Sequence, residues 1–138
     1  MMKKIKIGNK FVGLGEPSFI IAEIGSNFDG SLVRAKNLIK LAKESGADAV
    51  KFQSFKRDNI ISKEGFEGLR VGFQSDWEED VSTTYKKAEF PREWHEELSK
   101  YANNLGLEFL SAPYDKEAVD LLESMGTPAY KIGSGDIT

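Results

Sequence analysis

Residues 43–54 read KESGADAVKFQS: the end of a charged helical pattern, a glycine, and then a short apolar run. The same order recurs at residues 103–111, NNLGLEFLS, and at residues 123–132, ESMGTPAYKI. A glycine of this kind ends a helix, and a strand that closely follows a helix is typical of parallel strands joined by crossover helices. The repeat therefore predicts an α/β fold with a parallel sheet.

The flanking segments extend this alternation. Strands are predicted at residues 18–25, 49–54, 107–114 and 129–136, and helices at residues 31–45, 91–105 and 115–125. Residues 4–15 predict a β-hairpin that turns near Gly8–Asn9, so we divide the chain into a hairpin (1–17) and an α/β unit (18–138). Residues 55–89, which are rich in charge and contain several glycines, are expected to form a long loop with at most one short helix.

Composition excludes several classes of protein. The chain has 138 residues, about one domain's worth, and a net charge of −3, which does not favour nucleic acid. It has no cysteine, which excludes disulfides and thiolate catalysis, and its single histidine, His95, excludes a multi-histidine metal site within these residues. No apolar run approaches the ~20 residues of a membrane span, and residues 1–10 lack the core of a signal peptide. We expect a cytoplasmic protein.

Polar side chains lie toward the C-terminal ends of the predicted strands, where active sites of parallel sheets and barrels are built. They are Glu23, Lys51, Gln53, Ser111, Lys131, Ser134 and Asp136. Lys51 and Gln53 share one face of their strand, while Val50 and Phe52 take the other. Two lysines in strands that are expected to be covered indicate an anionic ligand. The alternative is that Glu23 and Lys51 simply form an ion pair.

Three further features have two interpretations each. The turn at residues 132–136, IGSGD, can aim backbone N–H groups at a phosphate, or can be an ordinary tight turn. The same holds for residues 25–30, GSNFDG. His95 falls on the charged side of its predicted helix, which favours a solvated side chain over a functional one.

Two long segments resemble a known family. Residues 19–53, FIIAEIGSNFDGSLVRAKNLIKLAKESGADAVKFQ, closely resemble the N-terminal part of the sialic acid synthase family. Residues 109–136, FLSAPYDKEAVDLLESMGTPAYKIGSGD, resemble the same family further on and in the same order. The resemblance extends to Thr138 and omits only the divergent loop. It implies a TIM (β/α)8-type barrel, of which this chain supplies about the first four strand–helix units after its short hairpin.

The resemblance also implies an activity. Members of the family condense phosphoenolpyruvate with N-acetylmannosamine or a related amino sugar, release phosphate, and use a divalent metal, manganese or magnesium. The family's metal-binding histidines lie beyond the part of the family that this chain matches. We therefore expect no metal on this chain alone, no activity of the isolated chain, and association with a second copy or with a missing C-terminal half.

Site residues follow from the same resemblance. Glu23, Gln53 and Asp136 are carried over as catalytic residues, and Asn27, Lys51, Ser111, Tyr114, Lys131 and Ser134 as substrate-binding residues. In this scheme Lys51, Lys131 and Ser134 contact phosphoenolpyruvate. Gln53 lies near the sugar and the metal, and Glu23 lies at the reacting centre.

The chain departs from the family pattern at three positions. Phe28 stands where the family commonly has a histidine, Ala112 stands where it often has a threonine, and Tyr114 stands where it often has a phenylalanine. These departures bear on specificity more than on the class of reaction. Two alternatives stay open: a non-catalytic half-barrel that binds anions or assembles with another chain, and another phosphoenolpyruvate-dependent synthase that makes a 3-deoxy sugar acid.

Overall fold

A computed structural model describes residues 3–62, 65 and 77–134. Its elements follow one another as β1 (Ile5–Ile7), β2 (Lys10–Val12), β3 (Ile21–Gly25), α1 (Leu32–Glu44), β4 (Ala49–Ser54), α2 (Arg57–Ile60), α3 (Val81–Lys87), α4 (Trp94–Asn104), β5 (Glu108–Pro113) and α5 (Lys116–Ser124). Strand β4 lies between β3 and β5 in a three-stranded parallel sheet. The predicted α/β fold with a parallel sheet is confirmed.

Glycine ends the helices that lead into the central and last strands. Gly46 and Gly106 follow α1 and α4 with φ angles of +84° and +71°, a left-handed conformation that costs glycine little. In each case the next amide, of Ala47 or Leu107, donates to a carbonyl of the last helical turn. The helix therefore stops at the glycine, and the chain enters the strand soon afterwards.

Helices α1 and α5 are each capped at the N-terminus by a side-chain oxygen. The hydroxyl of Ser31 accepts from Arg34 N at 3.2 Å at the start of α1, and Asp115 accepts from Ala118 N at 2.7 Å at the start of α5. Each contact satisfies one of the amides that a helix N-terminus leaves unpaired, a contribution of about 1 kcal/mol. Serine and aspartate at these positions thus fix where the helices start.

The core lies between the sheet and helices α1 and α4. Val50 and Phe52 of β4 are fully buried there, together with Ile39 of α1 and Leu98 of α4. The rings of Phe52 and Phe90 stack with their centroids 4.6 Å apart. Since burying one such side chain stabilises the fold by about 1.5–3 kcal/mol, these residues decide which face of the sheet turns inward to the helices.

The predicted N-terminal hairpin is present. Strands β1 and β2 pair antiparallel, with Ile7 opposite Lys10 across the turn at Gly8–Asn9. An ion pair between Lys10 and Asp48 ties the hairpin to the start of β4. The division of the chain at residue 17 stays a prediction.

Three expectations about the elements need correction. The first strand of the parallel sheet begins at residue 21 rather than 18, and residues 55–89 contain two helices among those described, α2 and α3. Residues 129–133 form no strand, although Gly126 ends α5 with a φ of +68° as in the other two units. The prediction of a fourth strand is therefore wrong for residues 129–134, while residues 135 and 136 lie outside the described part.

A strand exists only through hydrogen bonds to a neighbour, which explains the missing fourth strand. Within the described ranges, β5 pairs with β4 alone.

In the same part of the chain, no helix combines the length and apolar character that crossing a lipid bilayer requires.

Candidate functional site

Glu23 and Lys51 form the centre of the candidate site. Their Cα atoms are partners in the β3–β4 ladder, so both side chains leave the same face of the sheet, and they form an ion pair. The Lys51 side chain is only 13% exposed, whereas that of Glu23 is 48% exposed. Val50 and Phe52 point to the opposite, helix-covered face. The predicted division of β4 into a polar and an apolar face is confirmed.

Gln53 joins this pair through a glycine. The register of β3 against β4 shifts between Glu23 and Gly25, and Gly25 has a φ of +56°. A Cβ atom built on Gly25 would lie 3.5 Å from Glu23 Oε1 and 3.8 Å from Gln53 Nε2. The carboxylate and the amide therefore approach the same glycine, with no side chain between them.

Lys131 brings a second positive charge to the site. Burial lowers the pKa of Lys51 below its ordinary value of 10.5, and the charge of Lys131 lowers it further. The charge of Lys131 thus acts on the ammonium of Lys51, although Lys131 is exposed and does not lie in a strand. Two adjacent ammonium groups are relieved by an anion that binds between them.

The other predicted site residues are less closely tied to this group. Asn27 is exposed, and its side-chain amide donates to Ile24 O at 2.9 Å. The ring of Tyr114 packs edge-on against Phe55 at 6.0 Å, just after β5. Ser134 is exposed near the end of the described residues. Asp136 lies outside the described residues.

Ser111 does not join the group. It is the ladder partner of Phe52, which places it on the helix-covered face, and it is fully buried. Its hydroxyl lies 2.6 Å from that of Ser54. We therefore leave Ser111 out of the candidate site, because its side chain is on the opposite face of the sheet from Lys51.

His95 is also placed differently from the prediction. It is fully buried, and its Nε2 lies 2.6 Å from the Ser54 hydroxyl. The expectation of a solvated histidine is wrong, because the buried face of α4 runs through His95, Leu98 and Ala102. That spacing of three and four residues was a signal in the sequence that could have found it.

The other two departures from the family pattern, Phe28 and Ala112, lie on opposite faces of the sheet. Phe28 is fully buried on the helix side, where its ring lies 5.6 Å from that of Phe90 and 5.8 Å from that of Trp94. The missing imidazole is therefore a change in the core and removes no group from the face of Lys51. Ala112 is the ladder partner of Gln53, so it does lie on that face.

A divalent metal does not fit these residues. Over the described ranges there is no group of three or more histidine, cysteine, aspartate or glutamate side chains that could hold an ion. Glu23 supplies one carboxylate to the site, and that carboxylate is paired with Lys51. Hard divalent cations need several oxygen ligands, so we derive no step through a metal here.

We define the lysine cluster as Glu23, Gly25, Lys51, Gln53 and Lys131. Its side chains can bind anions, accept a proton and form hydrogen bonds with a substrate. Two ammonium groups can hold phosphate or carboxylate, and a carboxylate beside them can accept a proton or orient a hydroxyl group. The Gln53 amide can donate to and accept from a polar substrate. The lysine cluster therefore suits a small, strongly anionic substrate.

Two curated proteins are similar to nearly all of this chain. The chain is 44% identical over 134 residues to the N,N'-diacetyllegionaminic acid synthase of Legionella pneumophila, covering 95% of this chain and 37% of that protein. It is 36% identical over 127 residues to the human N-acetylneuraminate-9-phosphate synthase, covering 92% of this chain and 35% of that protein.

A solved structure shows the same fold. The structure of the N-acetylneuraminic acid synthetase from Leptospira borgpetersenii, in complex with citrate, matches with a TM-score of 0.81 and 28% identity. It covers 98% of this chain and 42% of that chain. This chain thus spans little more than a third of the curated relatives described above. The model of the NeuB family matches residues 38–138, and the chain belongs to the NeuB family.

Proposed function

We propose that this chain is the N-terminal part of a synthase that condenses phosphoenolpyruvate with N-acetylmannosamine or a related amino sugar and releases phosphate. The observation that carries the proposal is the lysine cluster, in which a largely buried ammonium lies beside a second lysine, a carboxylate and an amide. The Legionella and human relatives of the chain are named as synthases of sugar acids. Such a reaction takes place in the cytoplasm, where phosphoenolpyruvate is available.

The fold of the complete protein is part of the proposal. A (β/α)8 barrel takes about 250 residues, and its sheet closes on itself so that no strand edge stays open. In the described part of this chain, β3 and β5 are the outer strands of the sheet. We assign the closure of the barrel to further strands, supplied by the rest of the protein, and the assembled enzyme to a dimer.

The residues of the lysine cluster have distinct tasks in this reaction. Lys51 and Lys131 bind the phosphate and carboxylate of phosphoenolpyruvate and neutralise their charge. Gln53 holds a polar group of the sugar. Glu23 orients the water that adds to the cationic intermediate and accepts its proton. A divalent metal in the complete enzyme would take its ligands from outside these residues.

Binding of phosphoenolpyruvate tests the first step. We expect calorimetric titration of the chain to show binding that Lys51→Gln weakens by about tenfold, the loss of roughly one charge-assisted contact. Lys100→Gln is the matched control, since Lys100 is a 70% exposed lysine on α4 that pairs with Glu96. Equal losses in the two variants, or no binding to the unaltered chain, would contradict the proposal.

A chimera tests the reaction itself. The chain would replace the corresponding first part of the Legionella relative, and phosphate release from phosphoenolpyruvate would be followed with and without an amino sugar. The proposed function requires release that depends on the sugar and that Glu23→Gln abolishes. A folded chimera that binds phosphoenolpyruvate but never releases phosphate would support the non-catalytic alternative instead.

A further inference from the structure

A buried chain of hydrogen bonds connects α4 to the last residue of β4 and to β5. The Ser54 hydroxyl lies 2.6 Å from His95 Nε2 and 2.6 Å from the Ser111 hydroxyl, and His95 Nδ1 lies 3.1 Å from the carbonyl of Pro91. Ser54, Ser111 and His95 are all fully buried. We call these three side chains the serine–histidine relay.

The partners determine the direction of the relay. The Pro91 carbonyl can only accept, so His95 carries its proton on Nδ1 and donates there. Nε2 of the neutral ring is then an acceptor, and the Ser54 hydroxyl donates to it. The oxygen of Ser54 in turn accepts from Ser111. With a neutral imidazole the relay therefore runs from Ser111 through Ser54 to His95.

The surroundings of the ring favour the neutral form. Burial lowers the pKa of His95 to about 4 from an ordinary value of 6.5. Arg92 lowers this pKa further and Glu93 raises it, and both residues lie just before α4. From the other side the ring meets the rings of Phe90, at 4.1 Å, and Phe109, at 6.4 Å. Protonation of Nε2 would remove the acceptor for the Ser54 hydroxyl and would place a positive charge among these buried rings.

The relay holds the end of β4, the strand that also carries Lys51 and Gln53 of the lysine cluster. Ser54 directly follows Gln53, and its carbonyl accepts from Tyr114 N at 3.2 Å. Ser54 is thus fixed through its hydroxyl to α4 and β5 and through its backbone to the segment after β5. The side chain of Gln53 leaves the opposite face of the same strand, so a displacement of Ser54 would displace Gln53 as well.

We propose that His95 is a positioning residue, which acts through Ser54 to hold Gln53 and Lys51 in the arrangement that binds the anionic substrate. The identity of the substrate rests on the proposed function, whereas the hydrogen bonds from His95 to Ser54 and Ser111 do not depend on it. It also assigns Ser111 a role behind the sheet in place of direct contact with the substrate.

Nuclear magnetic resonance tests the geometry without any substrate. Because His95 is the sole histidine of the sequence, its ¹⁵N imidazole signals are unambiguous. We expect a neutral ring at pH 7 with a protonated Nδ1 and a bare Nε2, and at the same pH the side-chain amide signal of Gln53 should differ between the unaltered chain and His95→Phe. A proton on Nε2 at pH 7, or a Gln53 signal that is the same in the variant, would overturn the inference.

Binding tests the consequence for the site. His95→Phe keeps an aromatic ring among the surrounding rings but removes the acceptor, and we expect it to weaken binding of phosphoenolpyruvate by about tenfold, or 1.4 kcal/mol. His95→Gln, which supplies both an acceptor and a donor, should recover most of that loss. Ile39→Val, a mild change in the core on α1, controls for loss of stability.

The outcomes separate the two proposals. Normal binding by a folded His95→Phe variant would overturn the positioning role. Should this variant fail to fold, Ser111→Ala provides the second case, with an expected loss of binding of about threefold at unchanged secondary structure. Should the unaltered chain not bind phosphoenolpyruvate at all, the proposed function fails, and the signals of His95 and Gln53 still decide the positioning role.

Discussion

Glu23 and Lys51 are opposite each other on the neighbouring strands β3 and β4, and their side chains form an ion pair on the face that turns away from the helices. The pair leaves Lys51 largely buried and Glu23 half-exposed. The ion pair that the sequence offered as one interpretation is therefore present, and the charge of Lys131 acts on the same lysine.

Removal of the Glu23 carboxylate should strengthen anion binding. Glu23→Gln keeps the shape of the side chain but frees the Lys51 ammonium, so we expect phosphate or phosphoenolpyruvate to bind about threefold to fivefold more tightly, since a partly exposed pair contributes at most about 1 kcal/mol. Calorimetric titration of both chains would measure this. Weaker binding would contradict this prediction and would mean that the Glu23 carboxyl group itself shares a proton with the bound anion.

Binding should fall at high pH earlier than for an ordinary lysine site. Burial and Lys131 lower the pKa of Lys51 below 10.5, so its ammonium loses the proton at a lower pH than an exposed lysine does. We expect affinity for phosphoenolpyruvate to decline as the pH rises toward 10, and Lys51→Arg, which stays charged, to flatten that decline. A profile that is the same in both chains would show that Lys51 is not the group that titrates.

A methyl group on Gly25 should disturb the site and the fold together. Gly25→Ala places a Cβ 3.5 Å from Glu23 Oε1 in a backbone with a φ of +56°. The left-handed conformation alone costs about 1–2 kcal/mol for a residue with a side chain. Urea denaturation would measure that cost. Gly30→Ala is the control, because it also has a positive φ, of +65°, but has no atom within 4 Å of its added Cβ. Weaker anion binding is expected only for the first variant.

Acid should destabilise the protein through His95. The folded state holds the pKa of His95 at about 4, below its value of about 6.5 in the unfolded chain, so the unfolded chain binds the proton first. Stability is therefore complete above about pH 6.5 and declines as the pH falls toward 4, by an amount on the order of 3 kcal/mol.

Denaturation at pH 7 and at pH 5 would test this pH dependence. Within that window the carboxylates with lowered pKa values, such as Asp48 and Glu96, remain ionised in the folded state, so the change belongs mainly to the histidine. His95→Gln should remove most of the difference between the two pH values. A difference of equal size in the variant would assign the effect to other groups.

The family's histidine at position 28 should be tolerated poorly in this chain. Phe28→His would bury a polar imidazole against the rings of Phe52 and Phe90, which carry no hydrogen-bonding group, at a cost of about 1–3 kcal/mol. We expect a lower midpoint of thermal unfolding together with unchanged anion affinity, since Phe28 and Lys51 lie on opposite sides of the sheet. A change in affinity at unchanged stability would place residue 28 in the site after all.

The sequence by itself determined the order and direction of the strands. The repeated helix–glycine–strand unit predicted the parallel sheet, because the left-handed glycine and the short link to the strand are local features. The alternation of Val50, Lys51, Phe52 and Gln53 also predicted which side chains face the helices, since the two-residue period of a strand needs no tertiary information.

Tertiary structure alone decided the rest. Residues 129–133 carry the same local pattern as β4 and β5 but form no strand, because a strand requires hydrogen bonds from a neighbour that local sequence does not specify. His95 and Ser111 were assigned to the surface and to the substrate, yet they meet through Ser54 behind the sheet. A buried polar side chain is stable only where folding supplies its partner, and these partners are 41 and 57 residues away in the chain.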